Sequence, residues 1–186
     1  MLAGTCANEA VAQALLRKPS KDVDMRIVTV CGSLQARSAN LALIQAAGRI
    51  APSGVEVVPF DRLRALPFFN PDLETGDDPP AVTDWRRAVA GADALLIASP
   101  EYGHSLPGML KNGIDWLIGS GELHRKVVAI TAAVGHPHRG LMGLSALAQT
   151  LGAVDAVIVW NGPTVVGPDF DAAVASILRR LIESTP

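Results

Sequence analysis

From Met25 onward, short apolar runs rich in β-branched residues alternate with longer stretches in which apolar residues recur every three or four positions. A chain with that pattern has few ways to bury all of its apolar faces at once. Residues 27–30, 55–58, 94–97, 127–130 and 157–159 read as strands, and three of these runs are almost continuously apolar. Strands of that kind are covered on both faces. Helical spacing covers residues 40–50, 82–89, 109–118, 141–151 and 172–182. In the first of these Leu41, Ile44 and Ala47 share a face, and in the last Val174, Ile177, Leu178 and Leu181 do.

Strands separated by helices need crossover connections, and right-handed crossovers give an α/β fold: a doubly wound five-stranded parallel sheet with helices on both faces. Five strands fit the flavodoxin-like order, although periodicity by itself leaves a Rossmann-type order open.

The length of 186 residues suits one domain, and 49% hydrophobic against 18% charged residues is the balance of a chain that buries a core rather than staying disordered. A net charge of −2 with no Lys/Arg run offers no field for nucleic acid. The apolar runs are also far shorter than the roughly 18 residues of a membrane span. Cys6 and Cys31 have no paired spacing, the usage of a reducing compartment, so a cytoplasmic location is expected. Residues 1–22 read as an N-terminal extension ending in a Pro-Ser-Lys-Asp linker, and 23–186 as the domain.

In a parallel α/β sheet, ligands bind beyond the carboxyl ends of the strands. Three loops stand out there. The loop 32–40 offers the Ser33 and Ser38 hydroxyls, the Arg37 guanidinium, a turning glycine at Gly32 and the free N–H groups of a helix start. It lacks the later glycines of a dinucleotide fingerprint, which favours a phosphate monoester over a pyrophosphate. An ordinary helix cap at Ser38 is the plainer alternative. The loop 99–108 is stiffened by Pro100, Gly103, Pro107 and Gly108, carries Tyr102, and suits the edge of a flat heteroaromatic ring. The loop 131–140 holds His136 and His138, a spacing without the paired Cys or nearby carboxylate of a metal site. Surface or ligand-contacting histidines are the expectation. Cys31 has no histidine beside it in sequence and reads as a small buried hydrophobe rather than a nucleophile.

Taken together, Gly32-Ser33-Leu34 with Ser38 and Asn40, Pro100-Glu101-Tyr102 with Pro107-Gly108, and Leu110-Lys111-Asn112 with Asp115-Trp116 resemble the flavodoxin-like NAD(P)H-dependent FMN reductases, a family that includes quinone and chromate reductases. The resemblance runs from about Met25 to Ile182. It implies that Ser33, Leu34, Gln35, Arg37, Ser38 and Asn40 surround an FMN phosphate. Pro100, Glu101, Tyr102, Gly103 and His104 would contact the isoalloxazine, with Ala133 closing the site from the third loop. The sequence departs from the family at Gln35, where Arg is common, at His104, where Asn is common, and across 133–139. Arg37 is the residue expected to make up the charge missing at position 35.

The resemblance further implies hydride passing from NADPH or NADH through FMN to a small acceptor by a ping-pong mechanism, in a homodimer or homotetramer. No protein side chain is then a catalytic group, because the flavin carries the chemistry. Free flavin, a quinone, an azo or nitro compound and a metal oxyanion all stay open as acceptors, and the preference for NADPH rests on the resemblance. Two rival readings are a flavin-binding electron-transfer module without its own NAD(P)H oxidation, and a hydrolase. The hydrolase is disfavoured because no G-x-S-x-G elbow is present.

Overall fold

A computed structural model describes residues 23–74 and 78–186. Five strands, β1 (Met25–Cys31), β2 (Val55–Phe60), β3 (Ala94–Ala98), β4 (Val127–Val134) and β5 (Val157–Val165), form one parallel sheet in the order β2-β1-β3-β4-β5. This is the flavodoxin-like order, with its topological switch between β1 and β3. Five α-helices alternate with the strands: α1 (Ala39–Ile50), α2 (Pro80–Ala90), α3 (Gly108–Asp115), α4 (Leu141–Gly152) and α5 (Phe170–Ser184). The expected extension 1–22 lies outside the described residues.

Successive strand residues point to opposite faces, so the sheet divides the interior into two cores. Val28, Leu95 and Val128 pack with Trp85, Leu110 and Leu144 on one side. Ile27, Leu96 and Ala129 pack with Leu43, Ile177 and Leu181 on the other. Burial of both faces explains why these runs show no polar alternation.

The elements exceed their expected bounds in an informative way. Residues 131–134 were expected in a loop but continue β4, and β5 extends through Asn161, Gly162 and Pro163 to Val165. Polar residues interrupt the apolar run, yet the Thr131 and Thr164 hydroxyls pair at 2.8 Å between the two strands. A hydroxyl with a partner is tolerated inside a sheet. The third helix, expected to reach residue 118, ends at Asp115. Trp116 is its C-cap and is fully buried, donating its indole N–H to the Pro67 carbonyl at 2.9 Å.

Candidate functional site

The loops that leave β1, β3 and β4 are pinned to one another by hydrogen bonds remote in sequence. Strand pairing continues past the strand ends, with Gly32 N–H donating to Ala98 C=O and Ser99 N–H to Thr131 C=O, both at 2.8 Å. Asn40, at the start of α1 and 5% exposed, accepts the Ala133 N–H on its Oδ1 at 2.9 Å. Glu101 accepts the Gly143 N–H on its Oε2 at 2.8 Å and so caps α4, whose own N-cap residue, Gly140, has no side chain to do it.

Close packing reinforces these ties. A Cβ on Gly32 would sit 3.2 Å from Pro100 Cδ, and one on Gly143 would sit 3.0 Å from Glu101 Cβ. Between Glu101 and Ser105 the chain turns tightly: Tyr102 and Ser105 exchange two backbone hydrogen bonds at 3.0 Å, and both central residues, Gly103 and His104, have positive φ. Positive φ at both positions is the mark of a type I′ turn. Glycine meets it freely, whereas His104 holds it against a steric preference. The imidazole Nδ1 of His104 lies 3.4 Å from Glu101 Oε1. The Gly143 N–H, aided by His104, holds the Glu101 carboxyl below the ordinary carboxylate range, outweighing desolvation.

The loops enclose two cavities. The larger, about 630 Å³, is lined by Asn40, Pro100, Glu101, His104 and Ala133 together with 134–135, His138, Arg139 and Gly140. The smaller, about 180 Å³, is lined by Cys31, Ser33, Leu34, Gln35 and Ala36 from the first loop and by Asp61 and Arg64 from beyond β2, with Met109 from α3. Eight of the twelve expected residues therefore line one cavity or the other, counting Ser33, Leu34 and Gln35 on the smaller and Asn40, Pro100, Glu101, His104 and Ala133 on the larger. Ser38 is buried and accepts the Asn40 N–H at 3.2 Å, so the helix-cap reading of this residue describes its contact. Tyr102 is 56% exposed, and Arg37, Tyr102 and Gly103 are absent from both linings.

The first loop has the donor chemistry of an oxyanion cradle. Ser33 Oγ accepts the Gln35 N–H at 3.2 Å, which leaves its own proton free to donate. The N–H groups of Leu34, Ala36 and Arg37 have no partner among the described residues. Unpaired backbone donors beside a helix N-terminus suit a phosphate. Cys31 is half-buried, its thiol donates to the Ser33 carbonyl at 3.6 Å, and burial pushes its pKa up. That disfavours the thiolate, so a nucleophilic role has no support.

Of the other residues on the smaller cavity, Met109 read only as the start of a helix, and Asp61 and Arg64 were not singled out because the loop after β2 carries no dense run of glycine or hydroxyl residues. The same rule that drew attention to the other strand ends applied to it. The motif around Asn112 and Trp116 proves architectural. Asn112 accepts the Phe69 N–H at 2.8 Å and donates to Pro67 C=O at 3.0 Å, tying α3 to the segment after β2. The rings of His136 and His138 lie 5.1 Å apart, and among the described residues no three His, Cys, Asp or Glu side chains gather as a metal site. No helix of the described residues is long and apolar enough to cross a membrane.

Fold and loops together define a flavodoxin-like protein with two cavities at the carboxyl edge of its sheet. The profile of the NADPH-dependent FMN reductase family matches residues 25–170, and the chain belongs to that family. It is 40% identical over 93 residues to an NAD(P)H-dependent FMN reductase of Pseudomonas aeruginosa, a match spanning 50% of each chain. It is 43% identical over 96 residues to an NAD(P)H:quinone oxidoreductase of Solanum tuberosum, spanning 50% of this chain and 49% of the other. These alignments thus span about half the length of the curated relatives. Among solved structures, the flavoenzyme NAD(P)H:(acceptor) oxidoreductase FerB of Paracoccus denitrificans shares the fold with a TM-score of 0.72 at 22% identity, covering 87% of this chain and 100% of that one.

Proposed function

We propose that this protein is an FMN-binding oxidoreductase that takes hydride from NAD(P)H and delivers it, by a ping-pong mechanism, to a small acceptor such as a flavin or a quinone. The observation that carries the reading is the first loop, whose unpaired N–H groups and free Ser33 proton form an oxyanion cradle between two cavities at the carboxyl edge of the sheet. The printed activities of the relatives, FMN reductase and quinone oxidoreductase, support the same chemistry. FMN, when bound, supplies the hydride-accepting and hydride-donating centre.

The protein's part is binding and orientation. Ser33 and the N–H groups of Leu34, Ala36 and Arg37 donate to the phosphate, and Gln35 offers an amide beside them. Pro100, Glu101 and His104 bound the larger cavity on one side and Ala133 bounds it on another. Glu101 acts by holding α4 and its own loop in register, since its carboxylate is engaged by the Gly143 N–H. Tyr102, Leu141 and Met142 expose large apolar surface at the ends of the same loops. That surface supports a homodimer or homotetramer. The functional unit we envisage is the domain 23–186 with 1–22 as an extension, working in the cytoplasm.

The test is the visible spectrum of purified protein with added FMN, followed by anaerobic NADPH and then a quinone. Bound flavin that bleaches with NADPH and recovers with quinone is the expected result. Flavin that binds but does not bleach with either nicotinamide nucleotide would instead identify an electron-transfer module.

A further inference from the structure

The cradle as built has donors but little formal charge. A phosphate monoester carries about two negative charges at neutral pH, and a cation hydrogen-bonded to it contributes more than a neutral donor does. Within the first loop Gln35 lines the smaller cavity without a charge, and Arg37, the loop's one cation, lies outside both linings. The cation on the smaller cavity comes from elsewhere, from Arg64 in the short helical turn Leu63–Ala65 after β2.

That turn is held from both sides. Leu63 is 3% exposed and so close to α3 that a Cβ on Gly113 would come within 2.8 Å of its Cδ2. Arg62 is engaged by Asp84 at 2.6 Å. Arg26, Arg62, Arg86 and Lys111 each face a carboxylate within 4 Å, whereas Arg64, like Arg37 and Arg139, has no carboxylate partner among the described residues, and of those three it alone lines the smaller cavity. Asp61, on the same cavity, opposes an anion there.

We propose that Arg64 is the cation of the FMN phosphate subsite, reaching the phosphate across the smaller cavity from the end of β2, with Asp61 as a counter-charge that limits the affinity. The proposal rests on the FMN reading above, and it makes the loop after β2 part of the cofactor site. Arg64 acts as a binding residue for the phosphate, so the isoalloxazine and ribityl portions gain nothing from it.

Riboflavin, which lacks the phosphate, separates the two claims. Dissociation constants for FMN and riboflavin are measured on flavin-free protein by fluorescence quenching. Arg64→Gln is expected to weaken FMN by about tenfold or more while leaving riboflavin within about twofold. Arg64→Lys should recover part of the loss, and Asp61→Asn should tighten FMN alone. Arg64 is exposed and Gln keeps two of its three methylenes, so circular dichroism should show an unchanged fold. An FMN-to-riboflavin ratio unchanged in Arg64→Gln overturns the proposal and leaves the FMN reading standing. The same ratio collapsing in Arg37→Gln instead would move the charge to Arg37 and overturn it as well. Wild-type protein that binds neither flavin overturns both.

Discussion

The side chain of Asn40 reaches the backbone of Ala133 across 93 positions of sequence, accepting its N–H at 2.9 Å in a buried setting. That bond joins the start of α1 to the end of β4 and fixes the first and third loops as one rim. The bond is structural and also lies at the larger cavity, which Asn40 and Ala133 both line.

Replacing Asn40 therefore separates the two roles. Asn40→Leu leaves the buried Ala133 N–H without a partner and should cost about 1–3 kcal/mol in chemical denaturation. Asn40→Asp keeps an acceptor for that N–H but adds a negative charge beside the oxyanion cradle. It should hold stability closer to wild type than the leucine variant while weakening FMN by about tenfold. Equal effects of the two variants on denaturation would show that the bond to Ala133 contributes nothing.

Glu101 predicts a pH dependence. Its carboxyl is held below its ordinary pKa in the folded protein, chiefly by the Gly143 N–H and secondarily by His104. A depressed folded pKa contributes stability that is fully present above the unfolded carboxylate range and is lost as pH falls through the folded value. Wild type should accordingly melt above Glu101→Gln at neutral pH, and the two curves should converge in acid. Melting temperatures measured from neutral pH down to about 3 check this, and a constant offset across that range would refute it.

Asn112 and Trp116 provide a contrast outside both cavities. Asn112→Ala frees the Phe69 N–H and removes one donor to Pro67 C=O, which still receives the Trp116 indole. Stability should fall by about 1–3 kcal/mol. The affinity for riboflavin should stay within about twofold, since the residue lines neither cavity. A loss of riboflavin binding at full stability would assign this motif to the site instead.

The Cys31 thiol should react slowly. Its pKa is raised by burial, so less thiolate is present at neutral pH than for a free cysteine. Labelling with a chromogenic disulfide, in Cys6→Ala protein so that one thiol reports, should run slower than for free cysteine and accelerate in denaturant. Labelling as fast as free cysteine would contradict the burial.

The strands and helices were legible because burial of both sheet faces leaves β-rich apolar runs, and helices packed on those faces leave a repeat of three to four. Even there, β4 and β5 ran longer than their apolar stretches. The Thr131 and Thr164 hydroxyls satisfy each other only when the strands are side by side, and no one-dimensional pattern records that pairing. The sequence also exposed the Ser33 loop, since hydroxyls and a turning glycine after an apolar run are local chemistry.

What the sequence by itself determined was the α/β class, the five strands and the family resemblance, all properties of residues near one another along the chain. The strand order, the bonds between Asn40 and Ala133 and between Glu101 and Gly143, and the arrival of Arg64 on the cavity that Gln35 lines were decided by tertiary structure. The reason is physical. Hydrogen bonding and charge act across a few ångströms of space, and only the folded sheet brings residues dozens of positions apart within that range.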